Sequence, residues 1–371
     1  MRYILISFAV LFALATSAQA FTSCEQENYL AHFAITTSPE PCDEIATFPI
    51  RTSGGTTTLR LIRLARDGHG DDGTWTGHAG ALAERLGPAI DEIGASLPGE
   101  ITLFLTADSR DVGGRTAHAV TQSLIAYADG RRECAVPVYK IDRAVPIDEF
   151  IFAAAHEIFH CAQRVTWADA YSNEGSWWME GSAEYFSHLV MPESRLRDAW
   201  FVRFDERSTR EPLTAMQYEN VVFFMYLGSE ASPAAVGDFL SAMRRGDQLA
   251  VLRGVVSTGQ WANFVETYID GLITRPGGGE LAPADHFTGE RTFRGSDTLE
   301  IATTPYVATR YRLTFEADKL YTQAHDVTSG APLTQMRADT DTGVWSDPPA
   351  EVRACAEDQI YVLYSIDVDE A

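Results

Sequence analysis

The pentapeptide His156-Glu157-Ile158-Phe159-His160, set inside an apolar run from Ile147 to Val165, constrains this chain more than any other segment. Its spacing predicts a helix beginning after Pro146, and on a helix two histidines four residues apart project from one face. Paired imidazoles on one face suit two ligands of a single metal ion, and Glu157 beside them suits proton transfer from a water. A catalytic zinc needs a third protein ligand and one open position, so a second element has to bring that ligand in.

The next helical pattern does so. Trp177 to Val190 reads as a helix, with Ser176 as its N-cap and Pro192 beyond its end. Within Trp177-Trp178-Met179-Glu180-Gly181-Ser182-Ala183-Glu184-Tyr185 it carries two glutamates one turn apart. A short connection lets this helix fold antiparallel to the first, which places Glu180 as third ligand and lets Glu184 accept the remaining N–H of a ligand histidine. Two histidines and two glutamates aimed at one another without a cation would leave repelling carboxylates in need of partners.

HExxH followed by a helix with ExxxE resembles the gluzincin metallopeptidases, including thermolysin-like enzymes and aminopeptidases related to leukotriene hydrolase. The matched stretch runs from Ile147 to Tyr226. The resemblance implies zinc (Zn2+) held by His156, His160 and Glu180, with Glu157 as general base and Glu184 behind His156. The segments HEIFHCAQ and WWMEGSAEY resemble many secreted members of that group. A metzincin would need Gly at 163 and His at 166, where this chain has Gln163 and Thr166. Related aminopeptidases place a catalytic tyrosine at the start of a helix ahead of an aromatic, aliphatic run, which points to Tyr218 as the donor to the oxyanion. Tyr226 and His188 are the alternatives, Tyr226 also reading as core packing and His188 as a partner of Glu184. The Gly-x-Met-Glu-Asn segment with which those enzymes hold a free amine is not found. Internal cleavage, or cleavage of narrow specificity, therefore fits better. The strands around Ser123 to Ala128 and Val136 to Lys140 lie where gluzincins present an edge strand to an extended peptide.

The rest of the chain frames this region. Arg2, the apolar run Ile4 to Leu14 and Ala18-Gln19-Ala20 read as a secretory signal over residues 1–20, too short for the roughly 20 apolar residues of a membrane span. The mature chain is expected to be secreted or periplasmic, without stable membrane insertion. A net charge of -23 repels nucleic acid and anionic lipid, which excludes nucleic-acid partners. Five cysteines in an oxidising compartment read as disulfides, with Cys24 to Cys42 and Cys134 to Cys161 as the expected pairs and Cys355 left over.

Strands are expected at Leu59 to Ala65, Ile101 to Thr106, Thr121 to Tyr127 and Ala135 to Ile141, the last two joined by Asp129-Gly130, with a helix over Gly77 to Leu97. Asp67 to Gly73 lacks the Gly and Glu of a calcium loop and reads as a solvated loop. Further helices are expected at Glu193 to Glu206, Thr214 to Glu230, Pro233 to Arg245 and Gln260 to Ile273. The fold class is α+β, a gluzincin-type peptidase domain with a small mixed sheet and active-site helices over residues 21–273, α/β to 145 and helical from 146. A linker at 274–281 leads to a small β-sandwich at 282–371, where Arg310 to Phe315 and Gln359 to Ile366 read as strands. The expected function is zinc-dependent hydrolysis of a peptide or protein substrate. A non-catalytic zinc-binding or adhesion protein on the same scaffold, and a zinc hydrolase of a non-peptide bond, remain open.

Overall fold

The computed structural model describes residues 22–23, 41–64, 73–107, 110–112, 115–117, 123–126, 132–139, 145–172, 175–282, 284–293, 304–315, 337–339 and 360–363. The expected signal peptide, the Asp67 to Asp72 loop, the Asp129-Gly130 turn, Cys24 and Cys355 lie outside them.

A six-stranded mixed sheet, in the order β1-β2-β3-β4-β8-β7, carries the N-terminal part. Its members are β1 (Thr22–Ser23), β2 (Pro41–Thr52), β3 (Gly55–Leu64), β4 (Glu100–Thr106), β7 (Ser123–Ala126) and β8 (Arg132–Tyr139), while β5 (Arg110–Val112) and β6 (Arg115–Ala117) pair with each other. Strands β3, β4 and β8 run parallel. In β4 the consecutive residues Leu103, Phe104 and Leu105 are all fully buried, which is the pattern of a strand covered on both faces. Strand β7 lies antiparallel to β8 at the sheet's edge, as the hairpin signal predicts. Strand β2 escapes a pattern search because Pro41 and Pro49 interrupt it. Among the described residues only its first two pair with β1, and none lies on the outer side of Pro49 to require a donor there.

Helix α1 (Thr74–Ile93) lays Leu82, Leu86, Ile90 and Ile93 into the core and stops at Gly94 in a left-handed conformation, before Leu97. The helix bearing the histidines, α2 (Ile147–Thr166), and the glutamate helix, α3 (Ser176–Val190), form where expected. Ser176 is the first residue of α3 rather than its cap. The cap is Gly175, because a Cβ at 175 would lie 2.3 Å from Trp178 Nε1.

Beyond α3 the structure departs from the simple periodic reading. Residues 192–198 form turns, and α4 spans only Ala199–Arg207. The stretch from Thr214 to Glu230 divides into 3-10 turns at Leu213–Ala215 and Tyr218–Asn220, followed by α5 (Val221–Glu230). Side chains break it. Glu219 accepts from Gln217 N at 3.2 Å and from Arg207 Nη1 at 2.7 Å, and Asn220 Nδ2 donates to Leu213 O and Trp177 O. Helix α6 (Pro233–Ala242) follows. Then come α7 (Gln248–Val255), too short for periodicity but capped by Asp247, and α8 (Thr258–Ile269), opened by a Ser257/Gln260 capping box. Among the described residues no helix is long and apolar enough to cross a membrane.

After Ile273 the Gly-rich stretch closes a tight loop through a Thr274 to Glu280 bridge. Arg310, fully buried, places Nη1 3.1 Å from Asp205 Oδ1, and Tyr268 and His286 bond the same carboxylate. The expected C-terminal sandwich appears among the described residues as one four-stranded sheet, ordered β11-β12-β10-β9, formed by β9 (Gly289–Phe293), β10 (Tyr311–Phe315), β11 (Arg337–Asp339) and β12 (Ile360–Leu363).

A disulfide between Cys134 and Cys161 ties β8 to α2, with the Cα atoms 5.8 Å apart. Cys42 is also disulfide-bonded, and its expected partner, Cys24, lies outside the described residues. Closing the 27-residue separation between Cys134 and Cys161 limits the unfolded chain. Replacing both by alanine is expected to lower the unfolding free energy by about 3 kcal/mol in urea melts. A loss under about 1 kcal/mol would show that packing alone holds α2 to the sheet.

Candidate metal centre

Helix α2 is buried along most of its length, and α3 crosses it with Phe159 stacked on Phe186 at 4.5 Å between ring centres. Ser187 Oγ, on α3, donates to Phe152 O of α2 at 3.0 Å. This contact fixes the register that sets His156 and His160 opposite Glu180 and Glu184.

His156 Nε2 lies 3.1 Å and His160 Nε2 3.4 Å from the same oxygen, Glu180 Oε2. The two rings stand nearly perpendicular, at 85°, with centres 4.9 Å apart. One ligand atom from each of the three residues falls within 4.8 Å of the others. The sequence-derived ligand set is therefore brought to one point.

What stands behind each imidazole determines which nitrogen faces that point. His156 Nδ1 lies 3.2 Å from Glu184 Oε2, a close ion-pair contact rather than an aligned hydrogen bond. Glu184 is completely buried. A carboxylate only accepts, so Nδ1 is a donor; Nε2 faces the Glu180 carboxylate in turn and is the nitrogen that would give its lone pair to a cation. Behind His160 the same role falls to Gln163. Its Nε2 donates to Met179 O at 2.8 Å and Ser182 Oγ at 2.9 Å, which turns its Oε1 toward His160 Nδ1 at 2.8 Å. That assigns Nδ1–H to His160 as well, and the Nε2 atoms of both rings converge.

Without a cation the site holds protons instead. Burial alone would depress both histidines, yet the carboxylates outweigh it. Glu180 and Glu184 raise His156, and Glu180 raises His160 to about 9. Burial opposes ionisation of Glu180, but His160 and His156 hold its pKa far below the usual carboxylate range. The pocket favours positive charge where three donors meet. Two neutral imidazole nitrogens and one carboxylate oxygen are a donor set that fits zinc, in the three-ligand form that leaves a position open.

Glu157, next to His156, is partly exposed on α2. Tyr218 lies over the site, its ring stacked on His156 at 5.6 Å and on Trp200 at 5.0 Å. Burial and then Glu180 and Glu157 raise its pKa, so the phenol stays protonated in sight of both carboxylates. Gly181 makes this possible, since a Cβ there would come within 2.8 Å of Asn220 and 2.9 Å of Phe224. The alternatives to Tyr218 are not brought in. Tyr226 accepts from Asn263 at 2.8 Å, and His188 is packed against Phe152, with burial lowering its pKa to about 4. The pattern search gave no role to Gln163 or to Tyr171. Gln163 could have been found as the i+3 neighbour of His160. Tyr171, on the connection between α2 and α3, has no local signal; its pKa is raised by burial, then lowered by Arg164 and raised by Glu180 and Glu157.

No protein-family model and no curated protein matches the chain. Among solved structures the chain is similar to an M1 zinc metallopeptidase from Deinococcus radiodurans, with a TM-score of 0.38 and 16% identity over 60% of this chain and 53% of that one. A mutant of that protein bound to a Tyr-Ser-Ala substrate gives 0.36 and 17% over 59% and 52%. An aminopeptidase N family protein from Idiomarina loihiensis gives 0.34 and 10% over 53% and 40%. The chain spans about half the length of the Deinococcus structures it matches.

Gln163→Ala removes the group that orients His160, and zinc affinity is expected to fall about 10- to 100-fold in chelator competition. An unchanged affinity would show that Gln163 only bridges α2 to α3.

Proposed function

We propose that this chain is a secreted or periplasmic zinc-dependent peptidase acting on peptide or protein substrates. The observation that carries the reading is the convergence of His156, His160 and Glu180 on one point, with the far nitrogen of each imidazole engaged from behind and Glu157 on the open side.

Zinc, when bound there, acts as a Lewis acid and makes water acidic enough to lose a proton near neutrality. Glu157 accepts the proton of the attacking water and returns it to the leaving amine. Tyr218, kept protonated by its surroundings, donates to the oxyanion. Glu184 and Gln163 hold the two imidazoles in one tautomer, so no reorganisation accompanies the reaction. Strand β7, at the sheet's edge and in contact with α2, offers backbone groups with which an extended peptide pairs.

Glu157→Gln keeps the size of the side chain and removes its basicity. Zinc content is expected to stay near one per chain while kcat on a peptide library falls about 1000-fold. Full turnover by this variant, or wild-type turnover indifferent to chelator, would sink the reading.

A further inference from the structure

Between Phe150 and Gln163, α2 has only two residues that are not fully buried, Ala153 and Glu157. They mark the face that opens to solvent. Arg164 is the next residue on that face, seven positions after Glu157, which is two helical turns or roughly 10 Å along the axis. Its guanidinium lies over the Tyr171 ring, 4.5 Å from the centroid. Its Nε is buried with no acceptor, and among the described residues no carboxylate pairs with it.

The chain holds 52 acidic residues against 29 basic ones. Arg207 is paired with Glu211 and Glu219, Arg275 with Asp198, and Arg310 with Asp205. Arg164 is a cation two helical turns from the proposed base, with no acidic partner among the described residues. Burial raises the pKa of the Tyr171 phenol, Arg164 lowers it, and Glu180 and Glu157 raise it, so the phenol lies within electrostatic reach of both the guanidinium and the metal centre. An extended peptide rises roughly 3.4 Å per residue, so a chain crossing Glu157 reaches Arg164 within about three residues of the bond being cut.

We propose that Arg164, backed by the ring of Tyr171, binds a carboxylate of the substrate close to the scissile bond. The inference rests on the peptidase reading above and names its substrate class: peptides with an acidic side chain, or a free C-terminus, near the cleavage point. A planar guanidinium stacked on an aromatic ring is pre-oriented for bidentate contact with a carboxylate.

The test is binding without turnover. The full chain in its zinc-loaded Glu157→Gln form is titrated with three fluorescent hexapeptides, one with a central Glu and an amidated end, one neutral with a free carboxyl end, and one neutral and amidated. At least one carboxylate peptide is expected to bind about tenfold or more tightly than the neutral amide. Arg164→Gln is expected to abolish that margin while moving the neutral amide by less than about threefold, and Arg164→Lys to keep part of it. The first two peptides distinguish a side-chain from a terminal carboxylate. Equal binding of all three, or an equal loss for all three in Arg164→Gln, would overturn the proposal, the latter showing that Arg164 only supports Tyr171. Arg164-dependent binding in a wild-type protein that cleaves nothing would instead sink the peptidase reading and leave this site standing. Cleavage with no Arg164-dependent preference would do the reverse.

Discussion

Burying charge is the constraint on which the structure depends. Glu184 is completely withdrawn from water against His156, and Glu180 draws His156 and His160 to a single oxygen. A lone carboxylate in such surroundings costs on the order of several kcal/mol unless opposite charge and hydrogen bonds come with it. The cluster is therefore tolerable only if α2 and α3 meet in one register. Much of the nearby architecture serves that register: the Ser187 to Phe152 bond, the Phe159 and Phe186 stack, and the disulfide that fastens α2 to β8.

The aromatic groups over the site extend the same logic outward. Tyr218 is held between His156 and Trp200, and Arg203 covers the outer face of Trp200 at 4.8 Å. The column runs from the buried imidazole to the surface of α4. It stands because Gly181 lets the Tyr218 turn approach α3, and because Arg207 and Asn220 anchor the residues that follow Tyr218. A phenol supported in this way has few alternative orientations, as a donor to developing charge requires.

The parts of the site legible in the sequence were those encoded by spacing along a single helix. His156, Glu157 and His160 share a turn, as do Glu180 and Glu184, and the period of the helix is enough to place them. Gln163 was less legible, because a glutamine three residues past a histidine reads as a solvated polar group until Met179 and Ser182 are seen to hold its amide. The break before α5 was hidden for the same reason. The periodicity from Thr214 to Glu230 is helical, and the Arg207 and Glu219 pair that overrides it joins residues 12 apart. In the sheet, the buried runs of β4 and β8 announced themselves, whereas β2 did not, since among the described residues it pairs along most of its length with β3 alone and tolerates proline there. Strand order was beyond reach, being fixed by contacts between distant segments.

Asp205 sets where this molecule can be divided. On its two oxygens meet the Tyr268 hydroxyl, the backbone amides of Asp285 and His286, the His286 ring and the buried Arg310 guanidinium. The Gly-rich loop at 275–279 resembles a seam, yet a chain severed there would leave Asp205 facing an emptied socket and strip Arg310 of its counter-charge. Excision of the metal-bearing half has to run past Arg310, so the smallest self-sufficient fragment reaches well into the segment whose composition marks it as separate.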